Sequence, residues 1–355
     1  MQDTNNVDNN LIGNKKRLLF VIVFIVITIA SVLAIISFNK SFSIRQFVLF
    51  FKSANPLWMG LAIFSMFLFI LTEGLAIKCV CKSFRYKTNL RNSFAYSSAD
   101  IYFSAITPSA SGGQPATAYF MHKDGIPLSV ITIAMFCILM MYSLAIVIIN
   151  VICFLIKPDI LFEFDFLAKI IIFIGVGIQF ILIAFFYFLL FNETLLYKIC
   201  HFVLDILAKL HLIKNKNSKI KKLNDIIEKY KESAIVLKEH RRVLLNVFFL
   251  IFMQRVAQIG VVACVFIATG GNLSNVFDII TIQSFVVSGS YCIPIPGAIG
   301  ITDYLMLNGF KTLMEPSVAV NLELIGRGIS FYCCIILCGL TVLLKYCLQK
   351  RSSRK

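Results

Sequence analysis

The sequence predicts an all-α integral membrane protein with about six transmembrane helices plus two re-entrant hairpins in an inverted repeat. Three observations lead there. Of 355 residues, 59% are hydrophobic and only 15% charged, with a mean hydropathy of +0.85. A soluble domain of this length needs a far larger polar surface. The apolar residues are grouped in runs long enough to cross ~30 Å of hydrocarbon as helices. The 34 Lys and Arg residues, which give a formal net charge of +16, gather at the ends of those runs. That is the positive-inside pattern, in which basic residues face anionic cytoplasmic headgroups.

Six runs are long enough to cross: Leu18–Phe38, Pro56–Val80, Leu128–Ile156, Phe166–Phe191, Val243–Thr269 and Val318–Tyr346. The first follows Lys15, Lys16 and Arg17 and has no small-residue cleavage site behind it. It reads as a retained helix rather than a signal-peptide core. Residues 1–17 then form a cytoplasmic tail, 18–346 the transmembrane domain and 347–355 a basic cytoplasmic tail.

Two further hydrophobic regions are interrupted by Pro and Gly. Ser93–His122 is broken at Thr107-Pro108-Ser-Ala-Ser-Gly112-Gly113-Gln114-Pro115, and Val276–Met314 at Pro294-Ile-Pro296-Gly297-Ala-Ile-Gly300. Basic clusters at Lys15–Arg17, at Lys78–Arg91, in the loop 192–242 and in the tail mark the cytoplasmic side. The acidic connection Lys157–Asp165 and the uncharged Gly270–Asn275 suit the outer side. Lys40, Arg45 and Lys52 in the first outer loop run against this pattern, and a loop so rich in Phe and Ile fits the interface. With these sides fixed, Ser93–His122 enters and leaves by the cytoplasmic face and Val276–Met314 by the opposite one. Each hairpin is flanked by full crossings, and the two units are opposed in orientation. Broken helices at matching positions of an inverted repeat point to a transporter site near the midplane.

The loop 192–242 holds twelve basic residues and two amphipathic stretches at helical spacing, Ile199–Ile213 and Ile220–Leu237. A helical hairpin on the membrane surface accounts for both.

Backbone inside hydrocarbon must be hydrogen-bonded, so Pro-Gly breaks survive only where protein or water covers them. Pro108, Gly112, Gly113 and Pro115 expose N–H and C=O groups, and Pro294, Pro296, Gly297 and Gly300 repeat the device. Free N–H groups at a half-helix N-terminus attract phosphate; an ordinary turn between two crossings is the plainer alternative. Ionisable side chains at membrane depth are costly and usually functional. They are Glu73, Asp100, Arg255, Asp303, Glu323 and Arg327. Glu323 and Arg327, four residues apart, read as an intrahelical pair. Arg255, with Gln254 and Gln258 beside it and no acidic residue near in sequence, is the candidate for holding a lipid phosphate. Gln114 and Asp303 occupy matching places after their breaks and would line the same cavity.

Other classes find little support. The basic residues form no folded nucleic-acid module, so no nucleic acid is expected to bind this chain alone. Walker A, Rossmann and HExxH signatures are missing. The eleven Cys lack His partners at zinc spacing and read as small buried hydrophobes. No cofactor or metal is expected.

The two breaks with their flanks resemble the transmembrane region of lysylphosphatidylglycerol synthases, the flippase-like integral membrane family. Its first motif, P-x-x-x-G-G-[EQ]-P followed by a G-I step, stands here as Pro108 to Pro115 with Gly125-Ile126. Its second, P-x-P-G-x-x-G followed by an acidic residue, stands as Pro294 to Gly300 with Asp303. A downstream Arg matches Arg327. Gln114 and Asp303 depart from the Glu of many members. The resemblance implies translocation of phosphatidylglycerol, aminoacyl-phosphatidylglycerol or another lipid-linked substrate between leaflets. It implies a multi-pass protein of a bacterial plasma membrane with both termini cytoplasmic. Full-length synthases carry a soluble domain that transfers lysine from lysyl-tRNA, and the chain up to Lys355 leaves no room for it. A lysyltransferase reading therefore requires a soluble aminoacyltransferase partner. A non-transporting scaffold using the basic loop is the third reading, and a homo-oligomer stays open.

Overall fold

A computed structural model describes residues 44–209, 227–228, 230–231, 234–235, 237–238, 240–290 and 294–352. The expected first crossing Leu18–Phe38, the tail 1–17 and most of the second amphipathic stretch lie outside these residues.

Every described element is helical, without a strand among the described residues. The helices are α1 (Ile44–Ser53), α2 (Pro56–Ser83), α3 (Leu90–Ile106), α4 (Gly113–Lys123), α5 (Leu128–Ile156), α6 (Pro158–Glu163), α7 (Phe166–Phe191), α8 (Glu193–Lys209), α9 (Arg241–Ala268), α10 (Val276–Gly289), α11 (Ile301–Phe310), α12 (Pro316–Arg327) and α13 (Cys334–Ser352). Their ends follow local chemistry. Asn55 accepts the N–H of Leu57 at 2.9 Å ahead of Pro56, and Asp165 accepts that of Ala168 at 2.7 Å. Both close an otherwise orphaned helix start.

Among the described residues five spans are long and apolar enough to cross a membrane: α2, α5, α7, α9 and the stretch Pro316–Gln349. The protein is thus an all-α integral membrane protein. Of the most apolar window of α7 only 22% is buried, and Phe166, Phe173, Phe180 and Ile181 point outward. A soluble surface rarely tolerates so large an apolar patch, whereas lipid welcomes it.

Two elements differ from expectation. The segment before α2, expected as an outer loop, contains α1, which keeps Arg45 and Lys52 exposed beside the exposed Val48, Leu49 and Phe51. The last crossing is two α-helices, α12 and α13, joined by a π-helical segment Gly328–Cys333. Such a segment shifts the helix face within a continuous span.

The helices pack in a repeated scheme. α2 lies on α3, α3 on α4 and α4 on α5; likewise α9 lies on α10, α10 on α11 and α11 on α12. α3 packs against α13 of the other half, and α10 against α5. The centre is the pair α2 and α9, which run antiparallel: the Asn55 N–H donates to the Ala268 carbonyl at 2.7 Å, joining the start of one to the end of the other. Equivalent helices running in opposite directions are what an inverted repeat requires.

The hairpin α3–α4 opens at one end of the bundle. There Lys345 of α13 meets Asn92 at 2.9 Å and Asp124 at 2.6 Å, while Gln349 donates to Asp124 at 2.7 Å. The hairpin α10–α11 opens at the other end. There Lys157 pairs with Asp278 at 2.9 Å, and Asp165 receives Tyr304 and Asn308 at 2.7 and 2.6 Å. Between the ends, the two breaks approach within 8 Å between Cα atoms.

Candidate functional site

α3 stops at Ile106 because Thr107 is extended (φ −118°, ψ 145°), the conformation favoured before proline. The Thr107 hydroxyl then ties the turn, accepting the Gly112 N–H at 2.8 Å and donating to the Phe103 carbonyl at 2.6 Å. Gly113 opens α4 directly on Asp100. A Cβ there would stand 2.1 Å from both Asp100 Oδ1 and Ser104 Oγ. The glycine is therefore needed for close approach of the two arms of the hairpin.

The second break turns through Gly297 (φ 62°) and Gly300 (φ 86°), left-handed positions that glycine adopts freely. A Cβ on Gly297 would lie 2.2 Å from the Phe331 ring. The Gly300 N–H donates to Asp303 Oδ2 at 2.9 Å, closing the start of α11. Pro294 is exposed, and Pro296 begins the short 3₁₀ turn.

Two buried polar clusters flank the breaks. In the first, Gln254 of α9 donates to Glu73 of α2, and Gln114 of α4 donates to Asp100 of α3 at 3.1 and 3.2 Å. Arg255, 2% exposed, stacks on Tyr142 at 3.8 Å and lies 5.0 Å from the Phe69 ring centre. Its Nη1 donates to Gln258 at 2.6 Å. Glu73 and Asp100 both act electrostatically on it. Arg255 has no acidic neighbour in sequence, but the fold supplies two from other helices.

In the second cluster Arg327 pairs with Asp303 across helices, with 2.8 Å between Nε and Oδ1, and lies 4.5 Å from the Phe331 ring centre. This corrects the expected Glu323–Arg327 pair. Arg327 turns to the acidic residue of α11, while both carboxyl oxygens of Glu323, 0% exposed, have no hydrogen-bond partner. Helical spacing places two side chains on one face but does not decide which partner a guanidinium takes when a neighbouring helix offers another.

Of the residues selected from sequence, Gln114 joins Arg255 in the first cluster, and Asp303 joins Arg327 in the second. Gln114 and Asp303 thus serve separate clusters. The aromatic faces Phe69, Tyr142 and Phe331 escaped the sequence reading. Tyr142 is the one Tyr in the run Leu128–Ile156, which was the available signal. Among the described residues no group of His, Cys, Asp and Glu is arranged to hold a metal.

At the bundle end, burial alone would raise the Asp124 pKa. Hydrogen bonds from Lys345, Tyr96 and Gln349 outweigh that and hold it below 3.8.

A family model described as "Lysylphosphatidylglycerol synthase TM region" matches residues 19–338. Comparison with curated proteins and with solved structures finds no match.

Proposed function

From the premise that this chain belongs to the lysylphosphatidylglycerol synthase transmembrane-region family, whose members are membrane proteins of lipid metabolism or transport, we propose that it moves an anionic phospholipid between leaflets. Phosphatidylglycerol, aminoacyl-phosphatidylglycerol or a related lipid-linked molecule is the substrate. The observation that supports this reading is the meeting of the two breaks between opposite ends of the bundle. A headgroup that reaches them from one side stands next to the route out of the other.

The chemistry for a phosphate is at hand. α4 and α11 both begin at the breaks, so their positive dipole ends face the meeting point. Nε of Arg255 and Nη2 of Arg327 have no hydrogen-bond partner in this conformation. Each guanidinium therefore keeps an unpaired nitrogen donor for a phosphate oxygen, a charge-assisted hydrogen bond that arginine suits. Both arginines are buried, so the headgroup enters only when a hairpin shifts against its neighbouring half. Rocking of inverted halves about a central site gives alternating access. Lys78, Lys82 and Arg85 stand at the α13–Asp124 end, and this basic cluster supports a cytoplasmic side for that end.

The test is leaflet exchange of labelled phosphatidylglycerol and lysyl-phosphatidylglycerol in liposomes holding the purified chain. Exchange should exceed that of empty liposomes and be lost in Arg255→Ala with the fold intact. Equal exchange in protein-free and protein-bearing liposomes would refute lipid movement.

A further inference from the structure

Each polar cluster contains two carboxyl groups and one guanidinium. The first has Glu73, Asp100 and Arg255; the second has Asp303, Glu323 and Arg327. With every carboxyl ionised, each would hold one uncompensated negative charge, which is expensive at membrane depth.

The second cluster shows where the imbalance falls. Arg327 is committed to Asp303 at 2.8 Å. Glu323 sits beside that pair at 0% exposure, and neither of its oxygens receives a hydrogen bond. The charged groups acting on Glu323 are Asp303 and Arg327, from α11 and from its own helix. A buried carboxylate without donors is strongly disfavoured, but a buried carboxylic acid is tolerable. In the first cluster Glu73, 5% exposed, takes Gln254 on one oxygen and leaves Oε1 without a hydrogen-bond donor. It faces Asp100 from α3, Arg255 from α9, Tyr142 from α5 and Cys334 from α13. A metal cation fits neither place well, since the neighbouring guanidinium repels it and the oxygens are too few for a full shell.

We propose that each of the two polar clusters is a proton-binding site: one proton resides on Glu323, and one is held by the Glu73–Asp100 pair. Buried carboxyls at membrane depth commonly serve as proton relays. When a break opens, water reaches the acid, the proton leaves to solvent, and the carboxylate left behind competes with the lipid phosphate for the arginine. A proton and a headgroup are thereby set against each other at one guanidinium. This coupling role rests on the lipid-movement reading above; the protonation itself does not.

The decisive measurement is infrared spectroscopy of the full chain in liposomes at neutral pH, which needs no lipid movement. The wild type should show the carbonyl stretch of a protonated carboxyl. Glu323→Gln and Glu73→Gln should each remove a separate part of it, and the double variant the whole. In the unmutated chain, ¹³C-labelled glutamate should shift the Glu323 part, which keeps the result independent of any variant's folding. No such band at neutral pH, or a band that neither labelling nor substitution moves, overturns the proposal. So does a band that disappears on adding sodium at constant pH. A failure of lipid exchange with the band as expected would strike the transport reading alone.

Discussion

Arg327 reaches from α12 to Asp303 at the start of α11, with 2.8 Å between the charged atoms. This tie joins the last crossing to the second break, and both side chains are almost fully buried. Removing one partner leaves a buried charge alone, which costs ~3–5 kcal/mol. Arg327→Ala should therefore lower thermal stability in detergent sharply, and Asp303→Ala added to it should restore part of the loss. Equal stability of Arg327→Ala and wild type would contradict the pairing.

Gly297 combines a left-handed backbone with a Phe331 ring where a Cβ would stand. Gly297→Ala should destabilise by about 1–3 kcal/mol through overpacking, with an added cost from its positive φ. Phe331→Leu introduced with it should recover the overpacking part only. Melting curves of the three variants measure this directly.

The guanidinium carbon of Arg255 sits over the Tyr142 ring, 3.8 Å from its centre, and Nη1 donates to Gln258. Lysine keeps the charge but loses the planar stacking and the fork of donors. Arg255→Lys should thus retain the fold and exchange lipid more slowly than wild type, with about 1–2 kcal/mol less cation–π stabilisation. If lysine supports full exchange, charge alone is sufficient at this position.

The Asp124–Lys345 contact gives a pH signature. Because the folded-state pKa of Asp124 is depressed, its stabilisation is present above the unfolded value of ~3.8 and fades as pH falls through the lower folded value. Asp124→Asn should be less stable than wild type at neutral pH, and the gap should close below about pH 4. A gap that widens on acidification would reverse the assignment.

Topology is open to a chemical test in a cysteine-free background. A cysteine at Lys123, near Asp124, and one at Lys157 mark the two bundle ends. An impermeant maleimide added outside intact cells should label the second and spare the first. Labelling of both from one side would undo the opposed hairpins and, with them, the lipid route.

The sequence by itself determined the membrane class, the ends of α5 and α7 to the residue, and the positions of both breaks. It could do so because length, hydropathy and Pro-Gly chemistry act along the chain and need no knowledge of neighbours. It also selected the buried ionisable residues, since charge at membrane depth is conspicuous in any apolar run. Only the tertiary structure decided their partners. Glu323 and Arg327 share a helix face, yet the guanidinium goes to Asp303; Arg255, solitary in sequence, receives Glu73 and Asp100 from two other helices. Electrostatics and packing act through space at a few ångströms, and which groups come that close is set by how the antiparallel halves clasp about α2 and α9.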